Sequence, residues 1–117
     1  MKISYEGNVK VKTYVDGRIE KYDERGNLIY YKNSLFNVEE WHLYDENDNE
    51  IYGCDNRGSS WTSDYDENGN KTHHTRTGGF EWWKEYNDQV KVIHYKSNDG
   101  IEWFDDGYYE ERKEVVA

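Results

Sequence analysis

Tyr65-Asp66-Glu67-Asn68-Gly69-Asn70 decides how this chain folds, because the same stretch recurs on both sides of it. Upstream it reads Tyr44-Asp45-Glu46-Asn47-Asp48-Asn49 and, earlier still, Tyr22-Asp23-Glu24-Arg25-Gly26-Asn27; downstream it decays to Tyr86-Asn87-Asp88-Gln89-Val90-Lys91. The leading tyrosines stand 22, 21 and 21 residues apart, room for two short strands and two turns per period. A second turn signal runs out of phase with the first, at Gly17, Asn37, Gly58, Gly79 and Gly100, spaced 20, 21, 21 and 21 residues apart.

Asn and Gly tolerate the positive φ that tight hairpins need. An Asp side chain accepts a hydrogen bond from the backbone two residues on. Two alternating signals of this kind predict a run of β-hairpins with no helix. The fold class is therefore all-β, an antiparallel meander of about ten short strands in five repeats of roughly 21 residues, as a thin single sheet or a strongly twisted one. The units fall at 4–17, 18–36, 37–57, 58–78 and 79–107 of a single domain spanning 1–117, with 108–117 a terminal strand or a tail. The first unit is abbreviated, Tyr5-Glu6-Gly7-Asn8 standing where the six-residue turn belongs.

Side-chain parity then sorts the strands into columns. Trp61, Trp82 and Trp103 share one face; Glu39, Glu81 and Glu102 lie on the other, interrupted by Trp41, Trp83 and Phe104. Tyr30, Tyr52, His73 and His94 form a further column, one position from Ile29, Ile51, Thr72 and Ile93. No proline bars any strand from the sheet interior.

The 117 residues carry 25 acids against 15 Lys and Arg, a formal charge of -10. That balance points away from free nucleic acid and anionic membranes and toward basic protein surfaces. The apolar fraction is 34%, carried largely by 12 Tyr, 5 Trp and 3 Phe, which suits a thin aromatic-covered sheet better than an aliphatic sandwich. Cys54 is the lone cysteine, so no internal disulfide forms, and the N-terminus shows no signal sequence; the expected location is the cytoplasm.

Tyr-Asp-x-x-Gly-Asn at a spacing near 21, with a glycine in mid-repeat, resembles the YD (RHS-type) repeats, and one hairpin per unit resembles the MORN and MORN-variant repeats. The similarity runs from about Tyr5 to Gly107. It implies a β-hairpin meander that binds rather than catalyses. RHS proteins build shells around toxins, which five units are too few to do; MORN-type repeats bind lipids or proteins, and some variants are antitoxin-like. The chain departs from the MORN pattern in lacking its several fixed glycines, and neither family supplies a catalytic residue.

Plain turn and sheet roles account for the residues that suggest chemistry. Asp64, Asp66, Asn68 and Gly69 copy half of an EF-hand loop, but the twelfth position is Thr75 and the flanks read as strands. His73 and His74 point to opposite faces, leaving too few converging ligands for zinc. Cys54 has no activating base nearby in sequence. The expectation is a non-enzymatic protein with no metal and no cofactor.

The binding residues expected are Glu39, Glu81, Glu102, Asp45, Glu46, Asp66, Glu67, Trp41, Trp83 and Phe104. Asp-Glu turns recurring every two strands, about 10 Å apart, form a spaced row of charge on one edge. The partner expected is a protein with a basic surface, with no direct nucleic acid and no membrane. A phage or mobile-element inhibitor of the anti-CRISPR type, mimicking nucleic acid, fits this description. The alternative is a structural or immunity module acting through self-association, for which a homodimer suffices, or through toxin binding.

Overall fold

A computed structural model describes residues 1–106. Its strands are β1 (Lys2–Glu6), β2 (Val9–Thr13), β3 (Ile19–Tyr22), β4 (Leu28–Asn33), β5 (Val38–Tyr44), β6 (Glu50–Asp55), β7 (Ser60–Tyr65), β8 (Lys71–Arg76), β9 (Phe80–Tyr86), β10 (Val92–Ser97) and β11 (Glu102–Phe104). They follow one another in sheet order from β1 to β11, an antiparallel meander that does not close. The expected fold class is the one found, with one strand more than anticipated. Tyr5 and Glu6 belong to β1 rather than to a turn, and Glu6 pairs with Val9 across a two-residue hairpin in which Gly7 takes a φ of 62°. The terminal strand or tail expected at 108–117 lies outside the described residues.

The two turn signals prove to be one turn. In the Tyr-Asp series the Asp66 amide donates to the Asn70 carbonyl at 2.9 Å and the Gly69 amide to the Asp66 carbonyl at 3.0 Å. In the glycine series Ser97 donates to Ile101 at 2.8 Å and Gly100 to Ser97 at 3.3 Å, the same pattern. Both close a tight turn whose fourth residue is left-handed, the usual three-residue hairpin loop. Glycine fills that place in most copies and Asp48 (φ 66°) and Val90 (φ 62°) in two others, while the turn at Ser34 to Asn37, flanked by the paired Asn33 and Val38, is one residue longer and has Asn37 (φ 52°) there. A β-branched residue there is strained by about 1–2 kcal/mol.

Burial is sparse. Among the described residues only Val11 and Ile93 are buried apolar side chains, and Ser63 and Ser97 are buried polar ones. The sheet is thus one layer deep, and its stability comes from cross-strand pairs at about 0.2–1 kcal/mol each. No helix among the described residues is long and apolar enough to cross a membrane.

The chain divides into two compact units, Met1–Trp61 and Thr62–Ala117. In the first, the tyrosine that opens a turn ties its hairpin to the one before: Tyr44 donates its hydroxyl to the Leu28 carbonyl at 2.8 Å. Asn56 does the same work on the other edge, accepting from the Glu39 amide at 3.2 Å and donating to the Asn37 carbonyl at 3.0 Å. Arg25 Nε meets Asp48 Oδ1 at 2.8 Å, joining successive turns. Gly53 leaves room for the Trp61 indole, which would lie 2.2 Å from a Cβ at that position.

The second unit repeats these devices 42 residues later. Tyr86 donates to the Lys71 carbonyl at 2.6 Å, and Asn98 accepts from the Glu81 amide at 3.0 Å and donates to the Gly79 carbonyl. Tyr44 and Tyr86 are therefore ties between hairpins, a role that a turn reading alone does not reveal, whereas Tyr22 donates to Glu20 on its own strand.

Candidate functional site

The strand register of the second unit sorts its side chains onto two faces of different chemistry. His73 pairs with Trp83, Thr75 with Glu81, and His94 with both Glu85 and Phe104, so these residues share one face. His74 pairs with Trp82, Arg76 with Phe80, and Tyr95 with both Lys84 and Trp103, so these share the other.

On the first face two histidines are each held between two carboxylates. His73 Nδ1 donates to Asp64 Oδ2 at 2.8 Å, while its Nε2 lies 3.3 Å from Glu81 Oε1, off the hydrogen-bond direction. His94 lies 2.8 Å through Nδ1 from Glu85 and 2.9 Å through Nε2 from Glu102. A carboxylate only accepts, so both contacts of His94 are satisfied together when the ring is an imidazolium. Trp83 stacks on His73 with centroids 5.2 Å apart, and Phe104 on His94 at 4.3 Å.

These surroundings move both histidines the same way. The hydrogen bond to Asp64 raises the His73 pKa above its ordinary value, with burial opposing and Glu81 adding to the rise. For His94 burial is the largest single influence and acts downward, yet the bonds to Glu102 and Glu85 together outweigh it and the pKa is raised.

The second face carries a stack of upright rings: His74 to Trp82 at 5.7 Å, Trp82 to Tyr95 at 6.4 Å, and Tyr95 to Trp103 at 5.8 Å. Interplanar angles of 26°, 29° and 14° show the rings standing face to face, so they offer edges to solvent and their flat surfaces to each other. Such an arrangement is a packed ladder and a poor platform for stacking bases, which needs open ring faces. Arg76 lies over Phe80 at 4.3 Å and Lys84 over Trp82 at 4.2 Å. Burial depresses the His74 pKa, and Lys71, Arg76, His73 and Lys84 push it further down.

The first unit is less segregated. Glu39 accepts from the Tyr30 hydroxyl, and burial followed by that bond pushes the Tyr30 pKa up to about 12. Trp41 meets Tyr30 edge-on at 5.8 Å. Glu50 gathers His42 Nδ1 at 2.6 Å and the Trp61 indole N–H at 2.9 Å. An open hollow of about 520 Å³ beside Gly7 is lined by charges of both signs, Lys10 and Lys12 as well as Asp23 and Glu24.

Ten residues were expected to bind, and they fall into two kinds. Trp41, Trp83 and Phe104 are about 40% exposed, and Glu46 and Glu67 stand in water at the turns. Asp45 and Asp66 spend their oxygens on the turn itself: Asp66 accepts from the Asn68 and Asn70 amides at 3.0 and 2.9 Å and from the Asn70 side chain at 3.3 Å. Those bonds, the Asn70 amide foremost, hold the Asp66 pKa below the usual carboxylate range, and the Asn49 amide does the same for Asp45. Glu39, Glu81 and Glu102 each touch Tyr or His within the sheet, so the carboxylate column is a set of internally braced charges.

The histidine clamps went unanticipated, although a signal existed. Asp64 to His73 and Glu85 to His94 are both 9 residues, and His73 to Glu81 and His94 to Glu102 are both 8. Among the described residues no three His, Cys, Asp or Glu side chains converge as a metal site. The chain matches no protein-family model and no curated protein, so the likeness to YD and MORN repeats rests on its own residues.

Proposed function

We propose that this chain is a non-enzymatic acidic binding module that docks its carboxylate-bearing face on the basic surface of another protein. One observation supports the reading above others: Asp64, Glu81, Glu85 and Glu102 share a sheet face with Trp83 and Phe104, 38% and 42% exposed, on a chain of formal charge -10. Exposed aromatics supply contact area, and the charges steer a cationic partner and set its register. Glu39 and Trp41 carry the same pairing in the first unit.

The partner class we favour is a nucleic-acid-binding protein, because such proteins cluster Lys and Arg to receive phosphates. In its finer form the reading is an inhibitor from a phage or mobile element that occupies that surface. Affinity capture from host lysate tests it, run beside the variant Glu39→Lys/Glu81→Lys/Glu102→Lys and beside competing nucleic acid. The expected result is a basic protein retained by the parent chain, lost with the variant and displaced by nucleic acid. Equal retention by the variant, or no retention by either, overturns the reading.

A further inference from the structure

The cations of the second unit are laid out to match its carboxylates, on the opposite face. Glu81 and Glu85 stand four residues apart on β9, about 13 Å along the strand, with Trp83 between them. Arg76 sits beside Phe80, and Lys84 lies four residues beyond Phe80 on β9, so these two cations span the same length with Trp82 between them. Among the described residues neither Arg76 nor Lys84 forms an ion pair; each rests on an aromatic ring. The acidic face also carries Lys96, opposite Trp83 and Glu102, and the two clamped histidines, His73 and His94, so its four carboxylates are partly offset there.

We propose that the cationic aromatic face of one copy packs on the acidic face of a second copy, Arg76 and Lys84 of one chain meeting Glu81 and Glu85 of the next across Trp82 and Trp83. The proposal shares the acidic face with the function above and goes beyond it in naming a second copy as occupant. Charge complementarity favours this pairing over a symmetric one, since like faces would oppose cation to cation or carboxylate to carboxylate. A single-layer sheet with two buried apolar residues among those described gains the most from acquiring a second layer, and stacked sheets pack about 10 Å apart, a gap that indole rings fill. Because the two mating faces differ, each added copy leaves one of each kind open, and association proceeds as an open stack instead of a closed dimer.

Sedimentation velocity over a wide concentration range tests this with two variants. Arg76→Glu/Lys84→Glu makes both faces acidic, and Glu81→Lys/Glu85→Lys makes both cationic. Each alone is expected to lose association by about tenfold or more, and an equimolar mixture is expected to regain it because every acidic face again finds a basic one. If Glu81→Lys/Glu85→Lys fails to fold, the other variant decides: lost association with an unchanged far-ultraviolet spectrum supports the stack, and persistent association overturns it. A parent chain that stays monomeric throughout also overturns it, as does a folded mixture that fails to associate. The function proposed above stands or falls separately, because Arg76→Glu/Lys84→Glu keeps the acidic face and with it the capture of a basic partner.

Discussion

His73 and His74 are consecutive in the chain, yet the structure pushes their pKa values in opposite directions. His73 faces Asp64, Glu81 and the ring of Trp83; His74 faces Trp82 and Ser63, with Lys71, Arg76 and Lys84 in its field and His73 adding to it from across the sheet. Both side chains sit on the same strand, so the contrast belongs to the faces. A sheet one residue thick separates two electrostatic environments, and a net charge of -10 describes neither of them. For a binding module this matters more than the total, because a partner meets one face at a time.

The largest expected effect concerns packing. Trp82 is half-buried between two rings, whereas Trp83 is 38% exposed and stacks on one. Trp82→Ala should cost about 2–3 kcal/mol and Trp83→Ala about 1 kcal/mol, read as shifts in urea unfolding midpoints. Equal losses would mean that the ladder adds nothing beyond a single stacked pair. A smaller change spares both faces: Val90→Gly relieves a left-handed valine and should stabilise the chain by about 1 kcal/mol, with the two tryptophan costs unchanged. A loss of stability instead would show that Val90 makes a contact worth more than its strain.

Much of this contrast was legible in the residues. Turn chemistry at Asp66 through Gly69 placed the strands, and parity alone put Trp82 and Trp83 on opposite faces. What escaped was whatever depends on the neighbouring strand. The histidine clamps join β7, β8 and β9, or β9, β10 and β11, and need the exact cross-strand register to be seen. The shared geometry of the two turn series was hidden because Tyr, Ser, Asp and Arg open the second series where Asp and Asn open the first, while the bonds are made by backbone atoms common to all. The cationic character of one face was hidden by summation: Arg76 and Lys84 are outvoted in the total charge, yet among the described residues they form no ion pair where they sit.

The subtlest test uses pH. His73 and His94 have folded pKa values above the 6.5 of an unperturbed histidine, so the stability they contribute is full below that value and is lost as pH rises through their folded pKa. His74 has a folded pKa below 6.5, so its contribution is present above 6.5 and is lost as pH falls from there toward the folded value. In the parent chain the two trends oppose each other. Removing His74 as His74→Phe, which keeps a ring in the ladder, should leave a protein whose unfolding free energy falls as pH rises from about 5.5 to 8. Removing the other pair as His73→Gln/His94→Gln should leave one whose unfolding free energy rises over the same range. The imidazole proton resonances give the direct reading: Glu81→Gln should lower the His73 titration and move His74 much less, through its weaker coupling to His73, and Arg76→Gln/Lys84→Gln should raise that of His74 and move His73 much less. If either substitution moves both histidines equally, the sheet does not insulate its faces, and binding on one face would then be felt as charge on the other.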